Sequence, residues 1–301
     1  MLSNSALPID ELLETRWRRI VALLHLRPEG AETPPAAQAA KELSALGDLT
    51  GPSWTYEYHP SVYPGRAGSM VPFSLLLLSA MVPAFNEEFG EAARRLYALL
   101  ALLETSPWPR AARASAASEQ RRHVSLALVN VYCAHEEYPL AIALLESMLA
   151  APRSDARSDA SSPSSAAPSP SSAAPSPSSA APLLLNLLGR VHLQVGNLSA
   201  AVDSFERLES IVADAEASVD VRLNRSLLAL ARGEYEGALA QMDGTLRMEP
   251  QHATAASNRS VCLLYCCRFE QALRALEGFP KELARPPLFA NLDVLYMMTD
   301  K

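Results

Sequence analysis

Between positions 224 and 245, Tyr235, Ala238, Met242 and Thr245 recur at steps of three and four residues, the spacing that lines one face of an α-helix. The same face is written again downstream: Tyr235 falls on Phe269, Ala238 on Ala272, Asn224 on Asn258 and Ser226 on Ser260, every offset being 34 residues. Gly233 lies between the two apolar stretches of the unit and supplies a tight turn, and Pro250 stands where the second helix has to stop. Upstream by 37 residues, Gly189, Gly196, Leu198, Ala201 and Phe205 repeat the set, with three extra residues near 213–218. Weaker copies occur at Tyr132, Tyr138, Ala141 and Leu145 and at Phe89, Ala92 and Leu96, and PPLFANLDVLYMM (286–298) predicts one more helix at the end.

A period of 34 residues holding two helical stretches is the mark of a tetratricopeptide array, in which each helical hairpin buries its apolar face only by stacking on its neighbours. The fold class expected is all-α, an α-α superhelix of about four such hairpins. Small residues sit where the two helices of a hairpin approach: Gly189, Ser226 and Ser260 in the first helix, Ala201, Ala238 and Ala272 in the second. Cys267 and Arg259 depart from the residue types usual at their places in the repeat. Between 152 and 182 the chain becomes Ser, Pro and Ala, with the heptad SSAAPSP written twice. That composition has little to bury and too many prolines for a helix, so a disordered loop is expected to interrupt the array. The organisation is therefore an N-terminal helical segment (1–50), an aromatic, turn-rich segment with the first hairpins (51–151), the insert (152–182), and the repeats with a closing helix (183–301).

Composition agrees. Ala and Leu dominate while aromatics make up 6%, a mix that favours helices over strands. The net charge of −7 and a chain with three lysines, Lys41, Lys281 and Lys301, leave no basic stripe for nucleic acid. The four cysteines (Cys133, Cys262, Cys266, Cys267) have no disulfide framework and suit a reducing compartment. The apolar run MVPFSLLLLSAMVPAF (70–85) is 16 residues long and carries two prolines, so it predicts a buried helix, since a membrane span takes about 20 residues. The basic-then-apolar stretch at 15–26 lacks a cleavage motif and is not read as a signal peptide.

No nucleophile elbow, phosphate loop or HExxH pair is present, so no catalytic, cofactor-binding or metal-binding residue is assigned. Cys262, Cys266 and Cys267 read as small core residues, and His192 as a packed histidine. Glu87-Glu88 and Glu136-Glu137 place negative charge before a helix N-terminus. Binding in a helical solenoid falls to the face formed by the first helices. Here that face offers Asn186, Arg190, Gln194, Asn224, Asn258 and Tyr265 among leucines, and it suits an extended or helical peptide. Ser162, Ser169 and Ser176 precede proline and Ser154 and Ser158 follow arginine, places where phosphorylation would add charge to the loop.

The block YEYHPSVYPGRAGSMVPF (56–73), with LLGRVHLQVGNLSAAVDSFERLE (187–209), LRMEP (246–250) and SVCLLY (260–265), resembles the subunit 12 family of the transport protein particle (TRAPP) complex. The resemblance spans 56–296 apart from the insert. It implies a non-catalytic scaffold subunit of a tether in ER-to-Golgi transport and autophagy. Its partners would be the other TRAPP subunits and, through them, a Rab GTPase and membranes. It also implies a cytoplasmic protein, peripheral at the ER–Golgi intermediate compartment, and the family has been tied to kinetochore assembly in mitosis. The insert is unlike the family, the region before Leu49 matches poorly, and relatives continue past Lys301, so a partial or spliced chain is expected. The competing readings are a free adaptor for another peptide and an enzyme with a concealed pocket.

Overall fold

The computed structural model describes residues 8–25, 34–105, 114–150, 180–280, 283 and 286–299. All regular elements among them are helical: α1 (Ile9–His25), α2 (Pro35–Ser44), α3 (Phe73–Phe85), α4 (Phe89–Thr105), α5 (Ala114–Ala134), α6 (Tyr138–Ala150), α7 (Ala181–Val195), α8 (Leu198–Ile211), α9 (Val219–Ala231), α10 (Tyr235–Met248), α11 (Ala253–Tyr265), α12 (Phe269–Glu277) and α13 (Pro286–Thr299). Most of the Ser/Pro/Ala insert, with its five serine sites, lies outside the described residues. Its end does not: α7 starts at Ala181, and Pro182 occupies the first turn, where a missing N–H leaves no helical bond unmade.

Five turns share one construction. They join α3 to α4, α5 to α6, α7 to α8, α9 to α10 and α11 to α12, five pairs where about four hairpins are expected and each at a copy of the repeat. The middle residue of each has a left-handed backbone: Glu87 (φ 64°), Glu136 (φ 60°), Gly196 (φ 81°), Gly233 (φ 78°) and Cys267 (φ 56°). The next residue's N–H reaches back to the first helix: Glu88 to Pro83 O, Glu137 to Tyr132 O, Asn197 to His192 O, Glu234 to Ala229 O and Arg268 to Leu263 O, at 2.8–2.9 Å. This is the Schellman closure, which satisfies carbonyls that the helix end would orphan.

From those turns the packing is counted. Five residues on lies an alanine with no exposed surface in every second helix: Ala92, Ala141, Ala201, Ala238 and Ala272. Four further on lies a large buried residue, Leu96, Leu145, Phe205, Met242 or Leu276. In the α7–α8 and α9–α10 pairs this residue faces the small one seven before the turn, Gly189 or Ser226. A side chain at Gly189 would lie well inside contact distance of the Phe205 ring. Ser226 Oγ, which donates to Leu223 O at 2.6 Å, sits 3.5 Å from Met242 Sδ.

Two units emerge. The first runs through α1–α5 and the start of α6, ending at Leu144, and its core gathers Leu13, Ile20, Leu43, Leu75, Leu96 and Leu128. Its aromatic block is a buckle. Two 3-10 turns, Pro52–Trp54 and Tyr56–Tyr58, lead into a strand-like bridge between Thr55 and Ser69. Tyr63 Oη donates to Asp10 Oδ1 at 2.9 Å, Arg66 reaches Asp10 Oδ2 at 3.5 Å, and the Arg66 guanidinium lies 5.5 and 5.8 Å from the Tyr56 and Tyr63 ring centres. The apolar run at 70–85 becomes Met70, Val71 and the buried side of α3, and no described helix is long and apolar enough to cross a membrane.

The second unit comprises 145–150 and α7–α13, with a core built on Leu223, Met242, Cys262, Leu263, Leu276 and Leu295. Side chains cap its helices: Asn197 accepts from Ala200 N at 3.2 Å, Ser218 from Val221 N at 3.4 Å and His252 Nδ1 from Ala255 N at 3.1 Å. Acid–arginine pairs join one hairpin to the next. Arg225 of α9 grips Glu209 of α8 with two bonds of 3.0 and 2.9 Å and Glu216 with one of 2.5 Å, which raises its pKa further. Arg259 of α11, the residue atypical for the repeat, holds Asp243 of α10 in the same way at 2.5 Å.

Two substitution series test this construction. A left-handed non-glycine residue costs roughly 1–2 kcal/mol, and added glycine freedom in the unfolded chain returns about 0.4–1. Glu87→Gly, Glu136→Gly and Cys267→Gly are therefore expected to stabilise the protein by about 0.5–1 kcal/mol each in urea unfolding. Gly189→Ala is expected to destabilise by about 1–3 kcal/mol through overpacking. Adding Phe205→Met, the residue used opposite Ser226, should recover much of that loss in the double variant's thermal melting.

Candidate partner-binding face

The first helices α7, α9, α11 and α13 carry polar residues on neighbouring faces, and the bonds between them join residues 34 positions apart. Asn186 Nδ2 donates to Asp220 Oδ1 at 3.2 Å and Arg190 Nε to Asn224 Oδ1 at 3.3 Å, each across 34 residues. Arg190 also reaches Asp220 at 3.6 Å. Further along, Asn291 Nδ2 donates to Ser257 Oγ at 2.9 Å and to Ser257 O at 3.2 Å, again across 34 residues. Asp220, Ser257 and Asn291 escape a repeat alignment that follows like residues. They show when unlike polar residues are paired at the same interval.

Of the six residues expected to meet a partner, the structure brings three together. Asn186 and Asn224 are buried, at 8% and 1% exposure, and join Arg190 in the ladder. Asn186 Oδ1 and Asn224 Nδ2 are left without a hydrogen bond among the described residues. An unpaired buried amide group costs about 1–3 kcal/mol. Gln194 is exposed and Asn258 half-buried, and neither bonds to the ladder. Tyr265 stands 55% exposed at the end of α11 and stacks flat on Tyr235, with ring centres 4.6 Å apart.

The titratable side chains are held by the fold. His192 is buried, with Nδ1 unpaired among the described residues, while His252 is engaged as a helix cap. Burial pushes the Cys262 thiol up to about 11, and burial likewise raises Cys266 and Cys133, away from the reactive thiolate. Burial together with the 2.7 Å bond to Tyr97 drives Tyr132 up to about 12. No group of three His, Cys, Asp or Glu is placed to hold a metal among the described residues.

Paired helices, left-handed turns and an alanine at each crossing define a tetratricopeptide-like helical solenoid. A tetratricopeptide repeat protein from Parabacteroides merdae ATCC 43184 superposes with a TM-score of 0.51 at 13% identity, over 97% of this chain and 87% of that one. At the level of sequence, the chain is similar to trafficking protein particle complex subunit 12. It is 29% identical over 283 residues to the Homo sapiens protein and 28% identical over 284 residues to the Mus musculus protein, with 86% of this chain covered in each case. The chain spans about a third of those relatives, 35% and 32% of their lengths. No family model matches.

The ladder predicts a separation of folding from binding. Asn224→Leu removes both the acceptor used by Arg190 and the unpaired amide N–H, two opposed contributions of similar size. Its unfolding free energy is expected to stay within about 1 kcal/mol of the parent, measured by urea denaturation followed by circular dichroism.

Proposed function

We propose that this chain is a non-catalytic scaffold and docking subunit of the TRAPP tether. What carries the reading is the similarity to subunit 12 over 86% of the chain, in a protein built as stacked hairpins. The block YPGRAGSMVPF supports it, because those residues form the buckle that ties Asp10 to the turn before α3. In this reading the protein works in the cytoplasm, peripherally at the ER–Golgi intermediate compartment, in vesicle transport and autophagy. Rab activation belongs to other subunits of the complex, and a mitotic kinetochore role extends the same scaffolding. The repeats at 183–301 form the docking part, with the segments 1–50 and 51–151 as its N-terminal support and the insert 152–182 as a loop between hairpins. Asn186, Arg190, Gln194, Asn224, Asn258 and Tyr265 contribute the polar contacts to a partner peptide.

Affinity purification of the tagged chain at low salt, with mass spectrometry, tests the proposal. Recovery of the other TRAPP subunits is the expected result. Their absence, with the chain itself recovered folded, would overturn it.

A further inference from the structure

Two arginines converge on a glycine where α9 and α10 lie side by side. A Cβ at Gly244 would stand 3.0 Å from Nη1 of Arg222, in the first turn of α9, and 3.8 Å from Nη2 of Arg247, in the last turn of α10. Gly244 is buried, although inside a helix glycine is conformationally costly. Its missing side chain leaves the Arg222 guanidinium room to lie close against α10, beside a second cation. Two like charges held this near repel each other unless an anion answers both.

The acids that could answer them are committed to other arginines. Asp243 lies four residues before Arg247, the spacing of a helical ion pair, yet it holds Arg259 of α11. Arg247 makes no ion pair with any described residue. Glu216 makes its close bond, 2.5 Å, to Arg225, and its carboxylate stands 3.8 Å from Arg222. Arg222 is anchored instead through Nε, which donates to the Glu216 carbonyl oxygen at 2.8 Å, and Nη1 is left at Gly244. Arg225 shows how an arginine is satisfied in this fold: Glu209 takes both arms, at 3.0 and 2.9 Å, one carboxylate filling one fork.

We infer that Arg222 and Arg247 form a binding site for a phosphate monoester, carried on a phosphorylated serine or threonine of a flexible protein segment. A carboxylate is filled by a single fork, as Glu209 is, whereas a phosphate offers three oxygens and close to two negative charges, enough to take both guanidiniums at once. Arginine suits the task because its planar head donates in pairs. Gly244 sets how near the two heads come. An anionic membrane surface fits the place less well, because Asp214, Glu216 and Glu249 stand exposed in the loops that flank the two arginines and would face the lipid charge. The site lies in the middle of the repeats, uses none of the residues of the polar ladder and stands apart from the choice of complex.

The probe is a fluorescein-labelled peptide of glycine and alanine around one phosphoserine, with serine and glutamate versions as controls. With the full chain at low salt, anisotropy is expected to give a dissociation constant on the order of 100 µM for the phosphopeptide and about tenfold weaker binding of both controls. Inorganic phosphate should displace the phosphopeptide, at about tenfold higher concentration. Arg247→Gln should weaken the phosphopeptide about tenfold, and Gly244→Ala, which keeps both charges and displaces the Arg222 head, about fivefold. Circular-dichroism melting of Arg247→Gln should match the parent, because that side chain makes no ion pair. Gly244→Ala should melt no lower, since the atom in its way ends a flexible side chain and alanine favours the helix. Absence of phosphopeptide binding, or binding unchanged in both variants, would overturn the inference. So would a glutamate peptide or inorganic phosphate held as tightly as the phosphopeptide, or Arg247-dependent sedimentation with phosphatidic acid vesicles by a chain that ignores the peptide.

Discussion

The approach of two helices at an alanine governs the rest of this molecule. Ala92, Ala141, Ala201, Ala238 and Ala272 are wholly buried at the same distance from their turns, and no larger residue fits that place without driving the hairpin open. The turn makes the approach possible. Its left-handed residue reverses the chain within three positions, and two backbone bonds close it whatever side chain is present. Glu87, Glu136 and Cys267 therefore keep a geometry that Gly196 and Gly233 adopt with less strain. Their tolerance reflects how strongly the buried alanines beyond them constrain the turn.

Much of this was readable in the sequence, for a physical reason. Residues that must be small, Gly189, Ser226, Ser260 and the alanines of the last three pairs, recur at intervals of 34 and 37 because the hairpins repeat, and interval is what a sequence displays most openly. The all-α solenoid and the tight turn at Gly233 follow from such periodicities, and the buried run at 70–85 from its length. The turns at Glu87 and Glu136 were less visible, since acids before a helix suggest a favourable dipole and say nothing of a left-handed backbone. The start of α7 at Ala181 was hidden by composition, because Pro182 resembles its neighbours in the insert and differs only in having a helix to open.

The polar face was partly readable too. Asn186, Arg190 and Asn224 were picked as groove residues, and the structure joins them in a ladder. The acceptor Asp220 and the Ser257–Asn291 pair lacked any signal in a like-for-like alignment. Side chains of opposite character meet between repeats, so complementarity at a fixed interval was the informative pattern and identity was not. Arg259 makes the same point: atypical for its place in the repeat, it is explained by Asp243 sixteen residues before it.

Where the chain varies in length follows from how the turns are closed. Within each pair the helices are separated by two or three residues, whereas between pairs the separation runs from four residues after α10 to thirty after α6. A residue added inside a closed turn would rotate the second helix by about 100° and take its alanine off the crossing. One added between pairs meets no such lock, and loop entropy rises only slowly with length. The long separations, the one holding the Ser/Pro/Ala tract among them, thus fall at junctions where a second helix hands over to the next first helix, and the periodic contact is kept on either side.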